Sequence, residues 1–188
     1  LLTGEYLSIK DDCSAFLKGY LAQKTCFLNS FKSNLVHKKA IFAYLTDEQY
    51  NHFLSESELA AISAHIPWTR RISDQKTNFR GLNIELLEFI RSNRKYFVIK
   101  PNDDYGGRDV YLGPHASSSE WDRAIEKGRE KGFVVQEMVD IHREPFPVYG
   151  EDGWQEIPSM LDLDPYLNGP LMGGCLARVS STHLANVT

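Results

Sequence analysis

The sequence is poor in the residues that build covalent or metal frameworks. Three cysteines among 188 residues, Cys13, Cys26 and Cys175, form no Cys-x-x-Cys pair. An odd, scattered set of thiols fits reduced cysteines in a cytoplasmic protein better than a disulfide framework. Six histidines (His37, His52, His65, His115, His142 and His183) show no ligand spacing and read as surface or hydrogen-bonded side chains. Walker A, Rossmann and Gly-x-Ser-x-Gly patterns are all missing, and no paired Cys and His indicate a protease. A basic excess is missing too: 21 Lys and Arg stand against 25 Asp and Glu, a net charge of −4. That balance argues against a general nucleic-acid or acidic-membrane binder, although a local phosphate site needs only a few cations. The longest uncharged stretch, 165–177, has 13 residues and is broken by Gly169, Pro170, Gly173 and Gly174, too short to cross a bilayer. The opening residues Leu1-Leu2-Thr3-Gly4-Glu5 show neither a basic segment nor an apolar one of the kind that directs secretion.

What remains is an ordinary folding composition, 42% hydrophobic and 24% charged, in a chain able to bury roughly 70% of its unfolded surface. Apolar spacing predicts helices over 12–21 and 31–44 and a short apolar, β-branched run at 25–28. Ser55 and Glu58 have capping-box spacing and open a further helix that Pro67 stops. Residues 68–71 read as extended, and 83–91 as a helix with Ile84, Leu87 and Ile90 on one face. From Tyr96 strands enter: 96–99, then 109–113 after a Gly-rich turn, 133–139, 160–163 and 174–180, with a helix from Ser117 to about residue 131. The pattern predicts an α+β protein of two lobes, a mainly helical one over 1–95 and a strand-rich one over 96–188.

Three segments could carry chemistry. In Ile99-Lys100-Pro101-Asn102-Asp103-Asp104-Tyr105-Gly106-Gly107-Arg108, a Lys ends a buried strand, which is costly unless an anion meets it. Gly106 and Gly107 let backbone N–H groups approach that anion, and Arg108 adds a forked cation. The carboxylates could hold a Mg²⁺ that bridges phosphates. The same residues also suit a polar hairpin turn with Lys100 reaching solvent. In Val134-Val135-Gln136-Glu137-Met138-Val139 an apolar strand turns polar at its end, which suits an adenine slot or, equally, a plain core strand with an exposed edge. In the third segment, alternation puts Arg178 on the same face as Leu176, so it needs a carboxylate or phosphate partner, and an ordinary ion pair would serve. Asp162-x-Asp164 lacks the Gly of an EF-hand loop.

Together these segments resemble the ATP-grasp superfamily, specifically its circularly permuted glutathione synthetase and glutathionylspermidine synthetase-like members. The Lys-Pro pair with an acidic residue and Gly-Gly at 100–107 is the most specific match. Asn29-Ser30-Phe31 through Ala40 is similar to the segment carrying the family's first phosphate-binding Lys, matched to Lys39 with Lys38 as the fallback. Ile66-Pro67-Trp68-Thr69-Arg70 is similar to its proline–threonine stretch, and the final strand into Asn186-Val187-Thr188 to the approach to a glycine-rich run. The resemblance implies a nucleotide held between two α+β lobes, in a fold that continues beyond both ends of the sequence, where further Mg²⁺ ligands would lie. It implies ATP and Mg²⁺ as cofactors, with Lys39, Lys100, Gly106 and Gly107 on the phosphates and Gln136, Glu137 and Met138 at the adenine. Asp104 is then the Mg²⁺ ligand, Arg108 neutralises phosphate charge (relatives often carry Lys there), and Arg178 places the acceptor or steadies the acyl phosphate. The activity implied is an ATP-dependent ligase joining a peptide-like or small carboxylate to an amine. A non-catalytic ATP-binding relative and an unrelated α+β interaction domain are the alternatives.

Overall fold

The computed structural model describes residues 3–104 and 106–182. Tyr105 of the Gly-rich turn and the stretch Asn186, Val187 and Thr188 lie outside the described residues. Short helices come first: α1 (Thr3–Ser8), α2 (Ser14–Leu21), α3 (Ser33–His37), α4 (Ala40–Leu45) and α5 (Glu56–His65). There follow β1 (Thr69–Arg71), the hairpin β2 (Lys76–Phe79) and β3 (Leu82–Glu85), α6 (Leu86–Ser92), β4 (Phe97–Lys100), β5 (Tyr111–Leu112), α7 (Ser118–Lys131) and β6 (Val134–Glu137). Three long strands close the described chain: β7 (Arg143–Gly150), β8 (Gly153–Asn168) and β9 (Leu171–Ser180). The architecture is mixed α+β, with all strand pairs antiparallel.

Several local signals act as expected. Ser55 and Ser117 each form a reciprocal capping box with the Glu three residues on, Glu58 and Glu120, and so start α5 and α7. Gly132 ends α7 in the left-handed conformation, φ 70°. Three expectations are corrected. Residues 31–44 are not one helix: Lys38 adopts an extended ψ of 132° between α3 and α4. Residues 83–91 begin as strand β3 before turning into α6, because Ile84 pairs with Thr77 across a two-residue turn. The run 25–28 forms no strand, since no neighbouring segment offers it a ladder.

A four-stranded sheet in the order β1-β6-β4-β5 organises the first two-thirds of the chain. The expected division at residue 95 runs through this sheet, because β1 pairs with β6 (Thr69 with Gln136, Arg70 with Val135). One face of the sheet carries Phe97, Ile99 and Val135, which pack against Leu86 and Ile90 of α6 and Trp121, Ala124 and Ile125 of α7. Trp121 is buried and donates its indole N–H to the Ile90 carbonyl at 3.0 Å, so the ring carries no unmet polar atom into the core. The alternate positions Val98, Lys100 and Gln136 face the other way, toward the middle of β8. The last three strands form their own meander, β7-β8-β9. Sequence periodicity finds only parts of it, because β7 contains Pro145 and Pro147, which are tolerated on an edge strand.

Gly113 shows how tightly the sheet is closed after β5. A Cβ there would fall 1.8 Å from the Arg94 carbonyl oxygen and 2.7 Å from that of Phe97. The Gly113 amide donates to Phe97 O at 3.0 Å and its carbonyl accepts from Arg94 at 2.9 Å, so the backbone cannot step aside. Gly113→Ala is expected to lower unfolding free energy by about 3 kcal/mol in urea titration. A loss under about 0.5 kcal/mol would show that this turn yields without strain.

Candidate functional site

The site begins with the break in the helical segment. Because α3 stops at Lys38 and α4 starts at Ala40, the Lys38–Lys39 junction meets the turn that follows β4. Lys39 N–H donates to Asn102 O at 3.1 Å and Ala40 N–H to Asn102 Oδ1 at 2.8 Å. Asn102 thereby caps two of the orphan amides at the start of α4. Lys38 Nζ meets the Asp103 carboxylate at 2.5 and 2.6 Å, and Lys39 Nζ donates to Asp104 O at 2.6 Å. Two segments sixty residues apart are locked together by backbone and side chains alike.

Lys39 and Lys100 are consequently neighbours. Lys100 Nζ is held by Gln136 Oε1 at 2.8 Å; Gln136 Nε2 donates to Thr69 Oγ1 at 2.9 Å, and Thr69 donates onward to Pro67 O at 2.9 Å. This directed chain fixes the Gln136 amide with its oxygen toward the lysine. Thr69 is fully buried at its far end. Burial first, and the charge of Lys39 second, push the Lys100 ammonium below the usual lysine range. Burial also lowers Lys39, against the opposing pull of Asp104 and Asp103. Neither lysine has a carboxylate closing on its Nζ of the kind Lys38 has in Asp103. Two partly desolvated ammonium groups side by side form a site prepared for an anion.

Lys100 lines a cavity of about 320 Å³ between the sheet and the meander. Pro67, Val98, Val110, Leu112, Met138, Val139, Ile141, Met160 and Leu161 give it apolar walls, and Gln136, Glu137 and Asp162 its remaining polar edges. Flat apolar walls with a cation at one end fit a planar heterocycle bearing a charged tail. A larger recess of about 470 Å³ lies among Tyr6, Phe16, Phe27 and Phe31, but no Lys or Arg lines it.

The structure places the sequence-derived residues unevenly. Lys39, Lys100, Asp104 and Gln136 come together, and Gly106 and Gly107 continue the turn with φ of 69° and 75°, values that glycine alone adopts without cost. Glu137 and Met138 line the apolar end, but both amides are spent: Glu137 N–H on Trp68 O and Met138 N–H on Tyr96 O, each at 2.8 Å. The Glu137 carboxylate is ion-paired with Arg80 at the tip of the β2–β3 hairpin. Arg108 is exposed in the turn that leads to β5. Arg178 binds Asp162 and Asp164, at 2.6 Å to each, across the β8–β9 ladder. Among the described residues no three His, Cys, Asp or Glu side chains gather as metal ligands, and no helix is long and apolar enough to cross a membrane.

Sequence reasoning missed Thr69, the support for Gln136, and Asp162, which borders the cavity. Both were readable only through pairing: Thr69 lies opposite Gln136 and Asp162 opposite Arg178, registers that periodicity alone does not reveal. No protein-family model matches the chain. No curated protein matches it either.

The lowered lysines predict a pH signature. A Lys whose folded value lies below the ordinary 10.5 binds its proton more tightly when unfolded, so stability rises with pH between the folded value and 10.5 and the cost is full below that window. Lys100→Met removes this dependence. The stability of the parent minus that of the variant, from urea titrations at successive pH values, is expected to climb as pH approaches 10.5. A difference flat in pH would show that Lys100 is not desolvated.

Proposed function

We propose that the protein is an ATP-dependent carboxylate–amine ligase of the ATP-grasp kind, with nucleotide seated between the four-stranded sheet and the β7-β8-β9 meander. The observation that carries this reading is the convergence of Lys39 and Lys100, from two distant segments, at the charged end of an apolar cleft. Apolar walls around Val98, Leu112 and Met160 suit the base. A donor to the base edge would come from beyond Met138, whose own amide is engaged. Lys39 and Lys100 suit the phosphates, and their low proton affinity when the cleft is empty is what an anion would reverse.

ATP supplies the phosphoryl group that turns a carboxylate into an acyl phosphate, which an amine then displaces to form the amide. Such chemistry asks the protein to position and to neutralise charge more than to donate a nucleophile. The two lysines would neutralise charge as it moves between oxygens. Gly106 and Gly107 would bring backbone N–H groups toward it, with Arg108 at the rim. Asp104 fits a Mg²⁺ carried on phosphate oxygens, because that ion keeps several waters and needs only one or two carboxylates. Arg178 would have to exchange Asp162 or Asp164 for a substrate carboxylate or the acyl phosphate. Peptide-like or small carboxylates are the substrate class, with a small amine as acceptor.

Lys100→Ala in the full-length protein is expected to cut ATP-dependent phosphate release by at least about 100-fold, followed by phosphate assay with pooled carboxylates and amines. Undiminished release in the variant would sink the assignment. Saturable Mg-ATP binding by the parent without any phosphate release would assign it instead as a non-catalytic nucleotide-binding relative.

A further inference from the structure

The Gly-rich turn is tied at both ends. Its first end is bound to the start of α4 through Asn102 and Lys39, as described above. At its other end Asp109 stands in the left-handed region, φ 52°, directly after Gly106 and Gly107, which share that conformation. Asp tolerates this backbone better than most side chains but not freely, so something must hold it there. Asp109 Oδ1 accepts from Lys127 Nζ at 2.6 Å and from the Tyr111 hydroxyl at 3.1 Å. Two donors on one oxygen leave the carboxylate little rotational freedom.

The origin of Lys127 gives this contact its meaning. It projects from α7, whose opposite face is set in the core by Trp121, Ala124, Ile125 and Gly128. Gly128 allows the closest approach: a Cβ there would fall 2.6 Å from the Ile72 side chain. A rigid helix therefore reaches out through one lysine and fixes the far end of a turn whose near end carries the phosphate-facing groups. Lys127 and Asp109 are each about one-third exposed, and a pair so placed adds little to global stability. Its effect falls on the local conformation of the loop.

We propose that Lys127 is a positioning residue: acting through Asp109, it holds the Gly106–Gly107 turn in the shape that receives the nucleotide's phosphates. The inference rests on the nucleotide-binding reading above and adds to it a residue on α7, outside the cleft. It separates two parts of the ligand. The phosphates meet the turn, whereas the adenosine portion meets walls that Lys127 does not touch.

The experiment compares Mg-ATP and adenosine binding by calorimetry in the full chain, its Lys127→Met variant and its Lys127→Arg variant. Asp109→Asn serves as a second variant, since Asn accepts the left-handed backbone but lacks the charge. Lys127→Met and Asp109→Asn are expected to weaken Mg-ATP about tenfold, the scale of one hydrogen bond to a charged group, and to leave adenosine unchanged. Lys127→Arg is expected to restore most of the loss. An unchanged ratio of Mg-ATP to adenosine affinity in both the Met and Asn variants overturns the proposal while leaving the nucleotide site standing. Failure of the parent chain to bind either ligand overturns the nucleotide-binding reading and this proposal with it.

Discussion

Removing one ammonium group from water is costly, and removing two beside each other costs more, because repulsion adds to lost hydration. Lys39 and Lys100 meet that cost together, and much of their surroundings can be understood as managing it. The Asp104 carbonyl takes Lys39 and the Gln136 amide takes Lys100, so each cation has one neutral acceptor. Thr69, deep in β1, holds Gln136 in turn. Neutral acceptors orient a cation without cancelling its charge. Lys38 shows the contrast: Asp103 meets it directly, and that pair is electrostatically closed.

The sheet makes the arrangement possible. Its core face, built on Phe97, Ile99, Val135 and Trp121, sets the register of β4 against β6. Once that register is set, alternation places Val98, Lys100 and Gln136 on the opposite face, and a shift of one residue would send Lys100 into the core. The hydrophobic interior thus dictates where the charged groups point. On the far side of the cleft, the β8–β9 ladder pairs Arg178 with Asp162 and Asp164, so the meander brings its own ion pairs to the border of the cavity.

Legibility in the sequence followed the range of the interaction. Capping boxes at Ser55 and Ser117 span three residues and were readable, as were Phe97, Ile99 and Val135 as core. The Lys-Pro…Gly-Gly turn was readable because chemistry and conformation are both written within eight residues. The division of residues 31–44 into two helices was not, since Lys38 is extended there and its neighbours' amides are capped by Asn102, sixty residues downstream. The β2–β3 hairpin was hidden for a similar reason: its turn uses Arg80 and Gly81, φ 51° and 83°, where Asn-Gly would have announced it. The extent of β8 was masked because its sixteen residues mix Pro, Asp and Gly-flanked ends, and only the two neighbouring strands define it.

The junction between α3 and α4 carries a consequence for how this chain can vary in length. Each residue added to a helix turns everything beyond it by about 100°. One residue gained or lost between His37 and Ala40 would swing Lys39 away from Asn102 and Asp104, even with every side chain preserved. The connection between α4 and α5 has no comparable partner across the chain and can absorb such a change. Insertions and deletions should therefore be distributed unevenly along relatives of this protein, with the lysine junction keeping a fixed count while the segment a dozen residues later drifts.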